Sequence, residues 1–244
     1  MFEITAMLVV AENLLAVLFR TTKLKKFKLF QEDIPQDLFE HYQNSGIIAI
    51  DTELTGLNLF RDKVATIQIS DGVSTHSIIQ MSKQGWVAEN IKKLLESNVV
   101  RKVFHHALLD ASMIQQDLGI TVKNFRCTKI ASKIVRTYTE KHGLKDLSEE
   151  LLGVKMEKKT RESCWFSQEL SQDQLQYAIG DVVRLLDIYN KLNELIEARG
   201  QIGSGMSCQH VNEEAQTAMQ HMIPLLVSGY GSPDQWDLGW LFRY

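Results

Sequence analysis

Residues 47–53 read IIAIDTE, and this stretch decides the fold. The four apolar residues predict a strand in the middle of a sheet, buried on both faces. Side chains alternate along a strand, so Asp51 and Glu53 point the same way at its carboxyl end. Two neighbouring carboxylates repel each other unless a cation lies between them. Sheets of α/β proteins place their sites at this edge, so the pair predicts a metal site rather than a solvated strand end.

The segments that follow predict an α/β fold. Three segments read as strands: 47–51, Val64–Ser70 and 74–80. Short connections join them, with turn signals at Gly56 and at 71–72. Short connections imply an antiparallel meander. Next come a predicted helix at 86–96, a short strand at 101–105 and a second helix over Ala107–Leu118 that ends at Gly119. The change from meander to β-α units predicts a mixed sheet flanked by helices.

The second half of the chain is predicted to be mainly helical, over Thr128–Val135, Leu144–Leu152 and a long pair within 171–197. No internal repeat or second domain is visible. Residues 200–207 (GQIGSGMS) read as a flexible linker before an aromatic tail. The predicted organisation is therefore an uncertain extension (1–26), a main domain (27–199), and a linker with an aromatic tail (200–244) that is suited to a subunit interface.

Composition excludes several classes of protein. The net charge of -3 argues against a wide basic surface that grips long nucleic acid, but it leaves a short nucleic acid open. The three cysteines are an odd number without CxxC spacing, so neither a disulfide framework nor a zinc site is expected. A reducing cytoplasm is the expected location.

The N-terminal segment has an apolar run at 6–19 followed by a basic run at 23–28. The apolar run is shorter than the roughly 20 residues that a membrane span needs. In a signal peptide the charges would precede the apolar run, and here they follow it. Three interpretations stay open: an amphipathic helix on a membrane surface, a packed helix, or a true start at Met7 or beyond. We base no function on this segment.

Three further polar residues lie in apolar helical surroundings. Tyr177 and Asp181 are four residues apart and therefore share a helix face. A packed core would explain Tyr177 alone, but a carboxylate on a largely buried helix needs a partner. Asp110 lies in a similar apolar helix, where a helix-cap or salt-bridge role is an equal alternative. Together with Asp51 and Glu53 they form the parts of a two-metal nuclease.

The acidic segments carry a family resemblance. IDTELTGL (50–57), KVFHHALLD (102–110) and LSQDQLQYAIGDVVRLLDIY (170–189) resemble, in order, the three motifs of 3′-to-5′ exonucleases of the DEDD superfamily. The tyrosine places the resemblance in the subclass typified by ribonuclease D. CTKIASKIVRTYTEKHGLKDL (127–147) is similar to the short single-domain branch called nanoRNase C, which removes diribonucleotides. The implied fold is a ribonuclease H-like mixed sheet.

The resemblance implies a catalytic role for five residues. Two divalent cations, Mg²⁺ or Mn²⁺, would be held by Asp51, Glu53, Asp110 and Asp181, and oxygen-only ligands favour these metals over zinc. The cations would activate water and stabilise the leaving 3′ oxygen. Tyr177 would orient the attacking water or accept its proton.

Substrate contacts are expected at two places. Leu54 and Thr55 would lie beside the terminal base, with Gln68 and His105 nearby, although Leu54 suits the core equally well. His106 stands where ribonuclease D commonly has Asn, which puts a polar role there in doubt. A basic and aromatic cluster could hold a 5′ phosphate or form a solvated helix end: Arg136, Tyr138, His142 and Lys145.

The expected substrate is very short single-stranded RNA, because few residues follow 197 and the chain is acidic. Trimming of longer RNA or single-stranded DNA is the alternative. The nanoRNase C branch forms a ring-like octamer, so a homo-oligomer is expected, although the apparent insertion at 200–214 puts that assembly in doubt. A hypothesis from a different functional class is a non-catalytic nucleic-acid-binding scaffold. The presence of all four carboxylates and of Tyr177 argues against it.

Overall fold

The computed structural model describes residues 26–81, 88–156, 164–203 and 205–229. The predictions for the apolar N-terminal run, the aromatic tail and the start of the helix at 86 lie outside these residues. No helix in the described ranges is both long enough and apolar enough to span a bilayer.

Six strands form one mixed sheet: β1 (Lys28–Gln31), β2 (Ile47–Leu54), β3 (Val64–Ser70), β4 (His76–Gln80), β5 (Arg101–Phe104) and β6 (Phe125–Cys127). Their spatial order is β1-β4-β3-β2-β5-β6. The β2–β3 and β3–β4 pairs are antiparallel, whereas β1–β4, β2–β5 and β5–β6 are parallel. The predicted meander and mixed sheet are therefore confirmed, with β2 and β3 at the centre.

Eight helices accompany the sheet in the described residues: α1 (Gln36–Asn44), α2 (Glu89–Glu96), α3 (Ala107–Leu118), α4 (Thr128–Val135), α5 (Leu144–Leu152), α6 (Gln172–Val183), α7 (Leu185–Arg199) and α8 (Cys208–Val227). The predicted bounds of α3, α4 and α5 are those observed. Four described elements, β1, α1, β6 and α8, fall outside the predicted segments.

The helices bury both faces of the sheet. Ile48 and Ile50 of β2 pack in a core with α1, α2, α3 and the end of α8. Ala49, on the opposite face, packs in a second core with α6 and the start of α7. Because β2 is covered on both faces, its apolar residues end at a protected edge, and the acidic pair continues the strand there.

Part of the segment predicted to be a flexible linker at 200–207 forms regular structure in the described residues. Two short strands, β7 (Gln201–Ile202) and β8 (Met206–Ser207), pair antiparallel. Gly203 and Gly205 have positive φ, so the glycines that suggested flexibility serve a tight turn. α8 then crosses the free edge of β6, where both ends of the Gln216 amide bond to the backbone of Cys127. That edge is thereby covered.

Candidate active site

Three predicted carboxylates meet at the carboxyl end of β2. Asp51 and Glu53 extend from the strand, and Asp181 reaches them from α6. One oxygen of each lies within 4.8 Å of the others, and all three residues are partly buried. The strand alternation that predicted a shared direction for Asp51 and Glu53 is thus observed, and α6 lies on that side of the sheet.

The fourth carboxylate, Asp110, comes from the helix layer on the other side. It lies in the first turn of α3 and is only 5% exposed. Thr52, between the two acidic residues of β2, points toward α3, and its Oγ1 donates a hydrogen bond of 2.6 Å to Asp110 Oδ1. This contact was not predicted from the sequence, although alternation alone directs Thr52 away from Asp51. β2 therefore positions acidic groups from both helix layers.

Electrostatics tie the four carboxylates together. Burial raises the pKa of Asp51 well above its usual range, and the charges of Asp110, Asp181 and Glu53 raise it further. Burial also raises the pKa of Asp110 to about 6, although the hydrogen bond from Thr52 opposes this shift. Like charges in a shared site account for part of this behaviour. A cation would relieve the repulsion, and carboxylate oxygens suit Mg²⁺ or Mn²⁺.

Tyr177 lies one turn before Asp181 on α6. Its ring packs beside Trp165, with centroids 6.3 Å apart, and Trp165 is only 3% exposed. The start of α6 is fixed by a capping box in which Ser171 and Gln174 exchange hydrogen bonds. Sequence reasoning identified Tyr177 but missed Trp165, because the contact joins a loop to a helix.

The loop after β2 is firmly closed at its base. Thr55 N donates to the Lys63 carbonyl at 3.0 Å, and Lys63 N donates to Thr55 Oγ1 at 2.8 Å. Gly56 packs so closely against the Asp62 carboxylate that an added Cβ would clash with it. Glycine at position 56 thus allows the Asp62 carboxylate to pack against the backbone of this loop.

This loop presents apolar side chains to solvent. Leu57 is 57% exposed and Phe60 is 46% exposed, whereas Leu54 packs partly against the core. A contact between Leu54 and the substrate stays a prediction. The exposed Leu57 and Phe60, which sequence reasoning missed, follow the acidic pair within nine residues. Exposed apolar side chains of this kind are suited to packing against a nucleobase.

Gln68 and His105, the other two predicted substrate contacts near the acidic pair, are largely enclosed. Gln68 is fully buried on β3, directly opposite Asp51. His105 is partly buried and its Nδ1 bonds to Thr128 Oγ1 at 3.0 Å. Burial, followed by the nearby charge of Lys129, lowers the pKa of His105 to about 3. His105 is therefore neutral at pH 7 and links the start of α4 to the end of β5.

The cluster predicted to hold a phosphate contains an acidic partner. Arg136 is fully buried and its guanidinium donates to both oxygens of Glu150. It also donates to Ser132 Oγ at 2.9 Å and to the Lys141 carbonyl at 2.7 Å. Tyr138 OH donates to Glu150 Oε1 at 2.6 Å. Most donors of Arg136 are thus used within the fold, which argues against direct phosphate binding by this side chain.

The other two members of that cluster differ in exposure. His142 is 8% exposed, and its Nδ1 lies 2.9 Å from Ser132 Oγ. Burial lowers the pKa of His142, and the charges of Arg136 and Lys133 lower it further. Lys145 is partly exposed on α5. A phosphate role for Lys145 stays a prediction.

Comparison with known proteins identifies relatives by sequence. A family model described as 3′-5′ exonuclease matches residues 27–197. DNA polymerase I of Aquifex aeolicus is 32% identical over 163 residues, which are 65% of this chain and 26% of the polymerase. Ribonuclease D of Sphingobium indicum is 28% identical over 157 residues, which are 64% of this chain and 40% of that enzyme. The matched region thus spans less than half of either curated relative.

A solved structure matches most of the chain. Brucella melitensis NrnC has a TM-score of 0.77 and 32% identity, over 87% of this chain and 99% of that one. NrnC has also been solved with bound Mg²⁺ and bound to pGG. These similarities confirm the predicted resemblance to ribonuclease D and to the nanoRNase C branch, and with it the predicted fold.

Proposed function

The chain belongs to the 3′-5′ exonuclease family, and on this basis we propose that it is a metal-dependent 3′-5′ exoribonuclease acting on very short RNA. The preferred substrates are diribonucleotides, and the products are nucleoside 5′-monophosphates. The observation that carries the proposal is the meeting of Asp51, Glu53 and Asp181 within 4.8 Å at the protected edge of β2, with buried Asp110 beside them.

Short RNA is favoured over long RNA for two reasons. The NrnC chain that this protein covers almost completely has been solved with pGG, a very short ligand. The net charge of -3 offers little for the many phosphate contacts of a long strand. The ribonuclease D relatives support the alternative, a general exonuclease that trims longer RNA or single-stranded DNA.

The proposed chemistry assigns the four carboxylates to cation binding. Asp51, Glu53, Asp110 and Asp181 would hold two divalent cations, Mg²⁺ or Mn²⁺. When bound, such cations supply a Lewis acid for the phosphate and lower the pKa of water. Thr52 keeps Asp110 oriented through its 2.6 Å hydrogen bond. The close approach of like charges favours the binding of a cation that reduces their repulsion.

The remaining residues position the reactants. The phenol oxygen of Tyr177 would hydrogen-bond the attacking water and orient it toward the phosphorus atom. Trp165 fixes one side of the Tyr177 ring. Leu57 and Phe60 would pack against a substrate base, with Leu54 and Thr55 at the start of the same loop.

The assembly is also proposed from the resemblance alone. A homo-oligomer, in the form of an octameric ring, follows from similarity to the nanoRNase C branch. Mass measurement of the full chain in solution tests it, and a monomer at micromolar concentration would contradict it.

The test of function is the turnover of a 5′-labelled diribonucleotide, a seven-mer and a longer single-stranded RNA, each with Mg²⁺ or Mn²⁺. The inactive control is Asp51→Asn, and the matched surface control is Asp187→Asn on the exposed side of α7. Rapid loss of the diribonucleotide with slow loss of the others supports the proposal. Comparable shortening of all three favours the general exonuclease. No metal-dependent cleavage of any of them favours the scaffold hypothesis.

A further inference from the structure

Gln68 and Thr66 on β3 lie directly against the acidic pair. The strand register places Gln68 opposite Asp51 and Thr66 opposite Glu53. Residues opposite each other in an antiparallel pair point to the same face, with Cβ atoms about 5 Å apart. Gln68 Nε2 donates to Thr66 Oγ1 at 2.5 Å, so the amide is held between positions 68 and 66. This places it beside both carboxylates.

The other end of this amide is an unpaired acceptor. Gln68 is fully buried, and its Oε1 has no hydrogen-bond partner among the described residues. A buried acceptor without a donor is destabilising, and native structures seldom keep one without a reason. The strand register places Gln68 next to Asp51 and Glu53. A divalent cation held by these carboxylates would keep water molecules in its coordination shell, and their hydrogens can donate to a nearby acceptor.

A second buried glutamine shows the ordinary arrangement. Gln216 on α8 is 1% exposed, and its Oε1 accepts from Cys127 N at 2.8 Å. Its Nε2 donates to the Cys127 carbonyl at 3.0 Å. Both ends of this amide therefore support the fold. Gln68 differs because only its amide nitrogen makes a hydrogen bond within the fold.

We propose that Gln68 is a positioning residue for the divalent cation, and that its Oε1 accepts a hydrogen bond from the hydration shell of a cation held by Asp51 and Glu53. The hydrogen bond to Thr66 Oγ1 occupies the amide nitrogen, which leaves the oxygen for this role. The inference rests on the proposed function, and it replaces the predicted role of Gln68 as a substrate contact. Groups that support metal ligands in this way commonly change metal affinity 10–100-fold when they are removed.

The test compares Gln68→Met with Gln216→Met, and it measures Mn²⁺ affinity by calorimetry and melting temperature in EDTA. Gln68→Met is expected to weaken Mn²⁺ binding at least about 10-fold and to lower the metal-free melting temperature less than Gln216→Met does, because it removes an unpaired acceptor together with a single hydrogen bond to Thr66. Gln216→Met is expected to lower that temperature by several degrees and to leave Mn²⁺ affinity unchanged. Equal Mn²⁺ affinity in wild type and Gln68→Met would overturn the inference.

Gln68→Glu distinguishes the two ends of the amide. If the oxygen faces the cation, glutamate keeps an acceptor there and retains Mn²⁺ affinity within a few-fold of wild type. If the nitrogen faces the carboxylates, glutamate repels them, and binding as weak as in Gln68→Met would overturn the inference. Wild type that binds no Mn²⁺ and cleaves no RNA would overturn the proposed function as well. Wild type that binds and cleaves, with a normal Gln68→Met, would overturn this inference alone.

Discussion

Two charged clusters in the described part of the chain are built in opposite ways. At the end of β2, four carboxylates share a protected site, and burial with mutual repulsion raises the pKa of Asp51. At the end of α4, Arg136 and Glu150 have opposite charges, and the hydrogen bonds from Arg136 and Tyr138 lower the pKa of Glu150. The first cluster contains only acidic groups, so a bound cation would balance their charge, whereas the second contains its own counter-charge in Arg136.

This difference separates a binding site from a structural ion pair. Like charges held close together reduce the free energy of unfolding unless a ligand compensates for them. A saturated pair around a buried guanidinium instead loses stability when one partner is removed. The fold therefore tolerates electrostatic repulsion at the end of β2, where catalysis is proposed. At the end of α4 its charged groups are paired within the fold.

The largest expected effect is on turnover in Asp51→Asn. Removing one charge from the acidic cluster should lower cation-dependent turnover on the order of 1000-fold, since metal catalysis contributes several kcal/mol. The same change should raise the metal-free melting temperature, because repulsion is relieved. Diribonucleotide turnover and thermal unfolding in EDTA measure the two effects. A less stable metal-free variant would contradict the contrast between the clusters.

Tyr177→Phe should slow turnover about 100-fold, the magnitude typical of losing one proton-transfer or orienting group. The ring contact with Trp165 is retained, so stability should change little. Mn²⁺ affinity should stay at the wild-type value, because the phenol is not among the proposed cation ligands. Steady-state kinetics beside calorimetry test this, and a near-normal kcat would remove Tyr177 from the mechanism.

Glu150→Gln tests the other cluster. It leaves the buried Arg136 guanidinium without a counter-charge, which should lower the free energy of unfolding by about 2–3 kcal/mol. We expect a loss of this moderate size because the Glu150 side chain is 41% exposed and water partly screens its charge. KM for a 5′-phosphorylated diribonucleotide should not change, because Arg136 also bonds Ser132 and Lys141. A large change in KM with normal stability would restore the predicted phosphate role.

The smallest effect concerns pH. The pKa of Asp110 is about 6 in the folded protein, above its unfolded value near 3.9. Its contribution to stability is therefore fully present below about pH 4 and lost as pH rises through 6. Asp110→Asn, which keeps an oxygen for Thr52, should exceed the wild-type stability at pH 7.5 in EDTA. This advantage should shrink by about 1–2 kcal/mol at pH 5, and a constant difference would contradict it.

Local signals made much of the fold predictable. Residues of α3, α4 and α5 repeat with helical periodicity, and Gly119 ends α3 as the sequence suggested, in the left-handed conformation. Strand alternation likewise predicted that Asp51 and Glu53 share a direction. These features depend on neighbours in sequence, which is why a single sequence reveals them.

The missed features depend on distant parts of the chain. The Thr52–Asp110 hydrogen bond joins residues 58 apart and requires α3 to lie on one particular face. Burial of Arg136 depends on Glu150, fourteen positions later. The glycines at 203 and 205 suggested flexibility, whereas β7 and β8 pair and both glycines lie in the connection between them. In each case tertiary packing decides between alternatives that local sequence leaves open.

The most direct test of the central claim is the effect of Mn²⁺ on unfolding of the wild-type chain, beside Asp51→Asn. If the carboxylates form a cation site, saturating Mn²⁺ at about 100 times its Kd should stabilise wild type by about 2.7 kcal/mol and the variant much less. Equal stabilisation of both proteins, or none of wild type, would contradict a cation site at the end of β2.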